Sequence, residues 1–192
     1  MRHYVTPIEE ILLAQKCGFL SKKIWRKFIN QRKDSARKDR WRGFLRRNIF
    51  KPYGFKRGDD ILYLNSESEI VKSVVGGDIM QPPPSYILKH DEIVVDIVLE
   101  WAKDKGIDNY YFENELRSAP KVFGLERYDK LPDAILEVDN ARYAVEVEIS
   151  KKYSERYRKA LNAYAMSKRF KEIHYFTNSL QIKNSLLTAS ED

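Results

Sequence analysis

The apolar residues of the first 75 positions recur at helical spacing in three stretches and then alternate in two, which predicts three helices followed by two strands. The segment Thr6-Pro7-Ile8-Glu9 carries the N-cap, early proline and acid of a helix start, and Gly18 is a typical stop. The expected elements are helices over 7–17, from Ser21, over 35–47 and from 66–69 to about 75, with strands over 49–53 and 60–64. Three helices and a hairpin predict a winged helix-turn-helix domain over residues 1–75.

Residues 76–85 interrupt this pattern, because two glycines and then three prolines favour a linker that is first flexible and then extended. The elements expected beyond it are a helix over 87–105, a strand over 110–116, a hairpin of 131–138 and 141–149, a helix over 154–168, a strand over 173–177 and a short helix capped by Asn178. The apolar face expected for the first of these helices consists of Ile93, Val94, Ile97, Val98 and Trp101. The sequence therefore predicts an α/β fold of the α+β type, with a second domain over 86–192.

Positive charge is concentrated in the first predicted domain. Residues 21–57 contain 15 Lys or Arg and two Asp, a charge of +13, which leaves −6 for the rest of a chain whose net charge is +7. This asymmetry favours double-stranded DNA as a partner, read by the basic third helix and contacted by a basic hairpin tip over 54–59. A winged helix used for protein contacts is the alternative. The candidate DNA-binding residues are Arg37, Lys38, Arg40, Arg42, Arg46 and Arg47 on the helix, with Lys56 and Arg57 at the tip.

Two absences limit the other classes of protein. The sequence has no run of about 18 apolar residues and no basic start followed by an apolar segment, so we expect neither a membrane span nor a secretory signal, and hence a cytoplasmic protein. The one cysteine, Cys17, lies in an apolar helical stretch and is expected to fill the core. A single cysteine also excludes a disulfide within the chain and a cysteine zinc site.

The hairpin of the second domain carries the candidate chemistry. Asp139-Asn140 predicts a two-residue turn, because both residue types tolerate positive φ, and the resulting register places Asp133 opposite Glu146. Alternation puts the most apolar residues on one face, expected to be the core, while the other face carries Asp133, Ile135, Glu137, Arg142, Ala144, Glu146 and Glu148. Two like charges that face each other are destabilising unless something positive lies between them.

A divalent cation, Mg²⁺ or Mn²⁺, is the natural positive partner, because it takes carboxylate oxygens and keeps waters that can attack phosphorus. The alternatives are a shared proton, a clamp by an unidentified Lys or Arg, and simple solvent exposure. Two features favour the cation. The acids lie on a hairpin of strongly apolar strands, and Lys151, Lys152, Arg156 and Arg158 follow directly.

These residues resemble a known pattern. Leu131-Pro132-Asp133, followed after twelve residues by Glu146-Val147-Glu148, is similar to the signature of PD-(D/E)XK nucleases, whose restriction-endonuclease-like core has the same order of elements. More narrowly, His90 at the start of a helix, Pro132-Asp133-Ala134 and the segment 145–152 with its Arg/Tyr-rich continuation resemble the replication-relaxation family, which includes the C-type mobilization relaxases. That family also places a winged helix before the nuclease-like domain. The resemblance covers most of the chain.

The resemblance implies a role for each residue of the hairpin. Asp133 and Glu146 would bind the metal with the Val147 carbonyl completing its shell, and Glu148 would orient or deprotonate the attacking water and so is counted with the metal residues. Lys151 or Lys152 would stabilise charge on the phosphate, or else simply contact the DNA backbone. The chain departs from the pattern at one position, since Glu148 stands where the motif usually has lysine.

Other residues have weaker claims. His90 is either a catalytic residue or a satisfied buried histidine. A further metal ligand would come from one of four acids, among which spacing does not choose: Glu92, Glu100, Glu113 and Glu115. Of these, Glu115 is counted with His90 as an additional candidate site residue. Tyr153 and Tyr157 suit a covalent relaxase mechanism, but their spacing of four is also that of a helix core.

Three hypotheses result. The first is a sequence-directed, metal-dependent endonuclease that nicks one strand in mobilization, replication initiation or interference, alone, as a homodimer or with accessory DNA-processing proteins. The second is a nuclease-dead DNA-binding accessory or regulator of a mobile element. The third is a transposase subunit, although there the nuclease domain usually comes first.

Overall fold

The structure, a computed structural model, describes residues 7–31, 38–54, 60–125 and 130–191. Helices and two sheets are mixed along the chain, which confirms the expected α+β class. The chain divides into two compact units, Met1–Leu88 and Lys89–Asp192, so the boundary falls inside a helix rather than in the expected linker segment over 76–85. None of the helices described has the length and apolar character needed to cross a membrane.

The first unit contains a small three-stranded sheet surrounded by helices. Its elements are α1 (Ile8–Cys17), β1 (Leu20–Ser21), α2 (Lys22–Gln31), α3 (Lys38–Arg46), β2 (Phe50–Pro52), β3 (Ile61–Leu64) and α4 (Glu69–Val75). The strand order is β1-β3-β2, with both pairs antiparallel. Helix α1 ends at Gly18, whose φ of 80° is the left-handed conformation that glycine adopts without strain. Strand β1 was not expected, because two residues are too few to show alternation.

Aromatic side chains form the core of the first unit. The Trp25 and Trp41 rings lie 5.2 Å apart, and Phe44 contacts both and also Phe50. Cys17 is buried, as expected. Thr6, Arg37 and the hairpin tip with Lys56 and Arg57 lie outside the described residues.

The predicted linker segment is hydrogen-bonded to the first unit. The Gln15 side chain donates to the Asp78 carbonyl at 2.8 Å and accepts from the Met80 amide at 2.9 Å, and the Tyr53 hydroxyl donates to the Pro83 carbonyl at 2.7 Å. Residues 78–83 therefore belong structurally to the first unit.

The second unit is built on a four-stranded sheet of order β4-β5-β6-β7. Its elements are α5 (Ser85–Lys105, which begins in the first unit), β4 (Asn109–Phe112), α6 (Glu113–Ser118), a 3-10 turn (Pro120–Phe123), β5 (Ala134–Val138), β6 (Ala141–Val147), α7 (Ser154–Ser167), β7 (Glu172–Phe176) and α8 (Leu180–Glu191). Strand β7 runs parallel to β6, and the other pairs are antiparallel. A parallel pair needs a crossover, which α7 supplies.

The predicted hairpin is confirmed in turn and in register. Asp139 and Asn140 have φ values of 48° and 63°, and Val138 pairs with Ala141 as Ala134 pairs with Val145. The expectation of a single core face is wrong, however. Ile135 packs with Leu116 on the supposed outer face, and Glu146 and Glu148 are each only 4% exposed. Both faces of the sheet are covered, because alternate residues of β7 meet α5 on one side and α7 with α8 on the other.

Three further expectations need correction. The predicted strand over 110–116 ends at Phe112, because the Glu113 amide donates to the Asp133 carbonyl at 2.9 Å and the Glu115 side chain accepts from the Phe112 amide, which starts α6 instead. The terminal helix is capped by the Ser179 hydroxyl, which accepts from the Ile182 amide, and not by Asn178.

The buried stripe of α5 is also displaced from the expected one. Its buried residues are Leu88, Val94, Val95, Val98, Leu99 and Ala102, whereas Ile93, Ile97 and Trp101 are only partly buried. The Trp101 ring nevertheless packs on His174 and Phe176 of β7.

Candidate active site

Three acids converge at one end of the second unit's sheet. Asp133 lies directly before β5, Glu146 lies near the end of β6, and Glu148 follows it. They line one cavity of about 440 Å³. Its lining residues include the cationic or titratable side chains of His90, Lys130, Lys152, Arg156 and Lys159, together with Tyr157 and Tyr175.

Glu146 is held by two donors. The Lys130 ammonium lies 2.6 Å from its carboxylate, and the Tyr164 hydroxyl donates to the same oxygen. Lys130 also lies over the Tyr164 ring, 5.7 Å from its centroid. Burial and the charge of Glu146 raise the pKa of the Tyr164 phenol, so the phenol keeps the proton that it donates.

Glu148 has its own lysine. Lys152, four residues later, donates to the Glu148 carboxylate, and the Glu148 backbone amide donates to the Phe176 carbonyl of β7 at 2.9 Å. The Lys152 amide in turn donates to the Tyr157 hydroxyl at 3.0 Å. Glu148 is therefore fixed to the sheet through its backbone amide, and its side-chain charge is neutralised by Lys152.

Asp133 is the acid of the cavity whose pKa is raised. Burial, and next the negative charge of Glu146, raise its pKa from 3.8 to about 6, although its Oδ2 atom accepts from the Val147 amide at 2.7 Å. The repulsion expected between Asp133 and Glu146 is thus present, because the charge of Glu146 raises the pKa of Asp133.

His90 links α5 to this end of the sheet. Its Nδ1 donates to the Asp91 carboxylate at 3.2 Å, its Nε2 donates to the Val147 carbonyl at 2.9 Å, and Nε2 also lies 3.6 Å from Asp133 Oδ2. The Asp91 hydrogen bond, opposed by burial and supported by the Asp133 charge, raises the pKa of His90 from 6.5 to about 9. Donation from both nitrogens requires the imidazolium, in agreement with this shift.

The donor chemistry of the cavity suits a hard divalent cation, since Asp133, Glu146 and Glu148 supply only carboxylate oxygens. Their present partners do not leave them ready for one. Glu146 and Glu148 are paired with lysines, and the Val147 carbonyl, expected to complete a metal shell, accepts from His90. Among the residues that the structure describes, no group of three His, Cys, Asp or Glu side chains forms an assembled metal site. Lys130 and Lys152, which we call the lysine clamp, are therefore the positive partners of Glu146 and Glu148. A clamp by Lys or Arg was one of the alternatives to a metal that the sequence left open.

Several sequence candidates lie away from the cavity. Lys151 is exposed and does not line it, unlike Lys152. Glu115 caps α6 through the Phe112 amide, and the same helix carries Glu113, paired with Arg117. Neither these two acids nor Glu92 and Glu100 of α5 are among the lining residues.

The two tyrosines considered for covalent catalysis differ. Tyr153 is 90% exposed and does not line the cavity. Tyr157 lines it but is 2% exposed, and its hydroxyl accepts from the Lys152 amide. Neither stands as a free nucleophile beside the acids.

Of the candidate DNA-binding residues in the first unit, Arg40 points inward. Its Nη2 lies 2.8 and 3.0 Å from the two carboxylate oxygens of Glu10, a residue of α1 that is only 1% exposed. Arg40 therefore neutralises a buried charge. Arg42 and Arg46 are exposed on α3, Arg47 is half-buried directly after it, and Lys38 begins the helix.

Sequence reasoning missed three residues that line the cavity, Lys130, Tyr175 and Lys159, and also Tyr164, which donates to Glu146 without lining the cavity. Lys130 lies in an irregular segment with no periodicity, so only its distance of three residues from Asp133 pointed to it. Tyr164 has the helical spacing of an apolar stripe with Tyr157 and Leu161, and this spacing does not indicate that its hydroxyl binds an acid. Tyr175 was placed on its strand but not connected with Glu146, with which it pairs in the parallel ladder.

No family model, no curated protein and no solved structure matches this chain.

Proposed function

We propose that the protein is a metal-dependent DNA endonuclease that nicks one strand at a site selected by its N-terminal unit. The observation that carries the proposal is the convergence of Asp133, Glu146 and Glu148 on one cavity whose rim is cationic. Acids alone would repel a phosphodiester. The acids suit a cation, and the lysines and Arg156 beside them suit the anionic substrate.

The order of elements supports the finer fold assignments within this proposal. In the first unit, helix, short strand, two helices and a hairpin follow one another as in a winged helix, with α3 as the recognition helix. In the second, the acids stand at the end of a mixed sheet flanked by helices, as the resemblance to PD-(D/E)XK nucleases implies. The resemblance to the replication-relaxation family belongs to the same proposal.

The three acids and two lysines of the cavity have roles in the proposed reaction. Asp133 and Glu146 would hold Mg²⁺ or Mn²⁺, which would supply positive charge to the phosphate and lower the pKa of a water. Glu148, released from Lys152, accepts the proton of the attacking water. Lys152 then binds the phosphate, and Lys130, released from Glu146, supplies the ammonium that the motif usually places at position 148.

The test is a nicking assay on a supercoiled plasmid that carries a site obtained by selection of bound duplexes. We expect Mg²⁺-dependent conversion to open circles, because one set of acids cuts one strand per binding event. Asp133→Ala and Glu146→Ala should nick below detection, and Glu148→Ala should lose about 10²–10⁴-fold in rate as the proton acceptor. All three should still bind DNA, since the basic helix lies in the other unit.

Controls distinguish hydrolysis from other outcomes. Glu172→Gln removes an exposed acid of β7 that does not line the cavity and should nick like the wild type. Tyr153→Phe and Tyr157→Phe should also nick and leave a free 5′-phosphate or 3′-hydroxyl. A strand covalently attached to the protein, and lost in Tyr153→Phe, would contradict the hydrolytic mechanism.

A second candidate function is a DNA-binding accessory protein without nuclease activity. It is favoured by the lysine clamp, because Glu146 and Glu148 are already neutralised and the described residues assemble no three-ligand site. Wild-type protein that binds its selected site, leaves it uncut with Mg²⁺ or Mn²⁺, and shows no metal-dependent rise in melting temperature would establish this alternative.

A further inference from the structure

Gly43 lies in the middle of α3 without any evident need for glycine in its conformation. Glycine in a helix interior is unfavourable relative to alanine, because its backbone loses more freedom on folding. Other glycines of the chain have a backbone reason for their presence, since Gly18, Gly54, Gly76, Gly106 and Gly124 have positive φ. Gly43 is helical, so any L-residue could adopt its conformation.

Packing within the described residues does not require glycine either. A Cβ atom built on Gly43 would meet no other described atom within 4 Å, apart from the helix's own backbone. At Gly124, by contrast, the Arg169 and Arg142 guanidinium groups come within 3.7 and 4.0 Å of such an atom. As far as the described residues show, the space beside Gly43 is open.

The surroundings of Gly43 indicate which kind of partner uses this space. Trp41 and Phe44 are buried in the core, and Arg40 is bound to Glu10, so these residues define the inner side of α3. Arg42 and Arg46, one residue before Gly43 and three after it, are exposed. The outer side of α3 is therefore cationic next to Gly43, in a segment whose charge is +13.

We propose that Gly43 is the point of closest approach between α3 and duplex DNA, and that its missing side chain lets the helix backbone enter the groove beside the Arg42 and Arg46 contacts. This inference rests on the proposed DNA binding. A helix with its side chains is about 10–12 Å across and the major groove about 12 Å wide, so one absent side chain changes how deeply the helix enters. The cationic flanks select a polyanion over an apolar protein surface.

The test uses the full chain and a duplex that carries the selected site. Gly43→Ala should raise the melting temperature of the free protein, because alanine is the better helix residue, yet weaken binding at least tenfold. Gly43→Leu should weaken binding further, because its side chain is larger. The matched control is Gly77→Ala, since Gly77 also lacks positive φ and has open space at its Cβ. It should bind like the wild type.

Salt dependence separates steric from electrostatic effects. The slope of log affinity against log salt should stay unchanged in Gly43→Ala, which removes no charge, but should fall by about one in Arg42→Ala or Arg46→Ala if each contacts one phosphate.

The possible failures are distinguishable. Wild-type affinity in both Gly43→Ala and Gly43→Leu would overturn the close approach while leaving DNA binding by this unit intact. A lower melting temperature in Gly43→Ala would show that the glycine serves the fold, and this too would overturn the inference. If the wild type itself binds no duplex, the proposed function fails together with the inference.

Discussion

Both units of this protein bury glutamates, and they neutralise them differently. In the first unit, Glu10 is 1% exposed and is bound through both of its oxygens by Arg40. In the second, Glu146 and Glu148 are 4% exposed and are paired with Lys130 and Lys152. The burial is the same, but the number of acids and the type of cation differ.

The difference teaches what distinguishes a site from a structural ion pair. A single carboxylate that is bound by one planar guanidinium has its charge neutralised and its hydrogen bonds made, so the ion pair is stable as it stands. Of the three acids in the second unit, two are paired with lysines, while burial and the charge of Glu146 raise the pKa of Asp133 beside the same cavity. A buried glutamate therefore indicates function only where other carboxylates gather with it around space that a ligand can enter.

The largest loss of stability is expected when the ion pair between Arg40 and Glu10 is broken. Arg40→Leu leaves Glu10 buried without a counter-charge and should lower the free energy of unfolding by roughly 3 kcal/mol. The double variant with Glu10→Leu should recover most of this loss, because a well-packed apolar pair replaces a buried ionic one. Urea unfolding of the three proteins measures both. If Arg40→Leu instead unfolds like the wild type and only binds DNA more weakly, the arginine belongs to the DNA interface.

The lysine clamp should behave as a competitor of metal. Lys130→Met removes the ammonium from Glu146, so Mn²⁺ should bind roughly tenfold more tightly, a difference of about 1.4 kcal/mol. The metal-dependent rise in melting temperature should therefore begin at lower Mn²⁺ concentration than in the wild type. Lys151→Met is the matched control, because Lys151 is exposed and does not line the cavity. Identical Mn²⁺ titrations of all three proteins would contradict a clamp on the metal residues.

The pH dependence of stability, measured with chelator present, should also differ between the units. The pKa of His90 is raised from 6.5 to about 9, so its stabilisation is complete below about pH 6.5 and is lost as the pH rises through 9. The pKa of Asp133 is raised from 3.8 to about 6, so stability also falls as the pH rises between these values.

Both shifts have the same sign, and together they predict that the melting temperature of the second unit declines from about pH 4 to 9. His90→Gln should remove the upper part of the decline. A melting temperature that rises between pH 6.5 and 9 would show that these groups do not control stability.

The smallest change in the free energy of unfolding is expected for a substitution of Tyr175. Its hydroxyl is buried and has no hydrogen-bond partner among the described residues, while burial and the charge of Glu146 raise its pKa. Tyr175→Phe should therefore raise the free energy of unfolding by about 1 kcal/mol. Tyr164→Phe, the matched change at a hydroxyl that donates to Glu146, should lower it by about 2 kcal/mol. Equal losses in the two variants would show that Tyr175 has a partner in solution.

Local chemistry made part of this structure predictable. The Asp139-Asn140 turn and the alternation around it determine the hairpin register, because a slip of one residue would reverse every side chain. The short strand β1 and the helix α6 could not be predicted in this way. Helix α6 begins where Asp133 ends the pairing of β5, and that boundary is set by a residue twenty positions away.

The hairpin register also made the acids of the site predictable, but not the side chains that bind them. Asp133, Glu146 and Glu148 follow from the hairpin register, but their partners do not. Lys130 reaches Glu146 from an irregular segment, and Tyr164 reaches it from α7. Arg40 was counted as surface charge because nothing in the sequence shows that Glu10, on another helix, is buried beside it.

The two-residue turn at Asp139-Asn140 also bears on the kinetics of folding. A hairpin closed by so short a turn can form within about 1–10 μs, whereas β7 joins β6 only after the crossover through α7. We therefore expect Asp133 and Glu146 to come together before the Tyr164 hydroxyl reaches Glu146. Repulsion between the two carboxylates opposes formation of the early hairpin, so a chain whose Asp133 is uncharged should refold faster. The acids of the site therefore slow the assembly of the sheet that carries them.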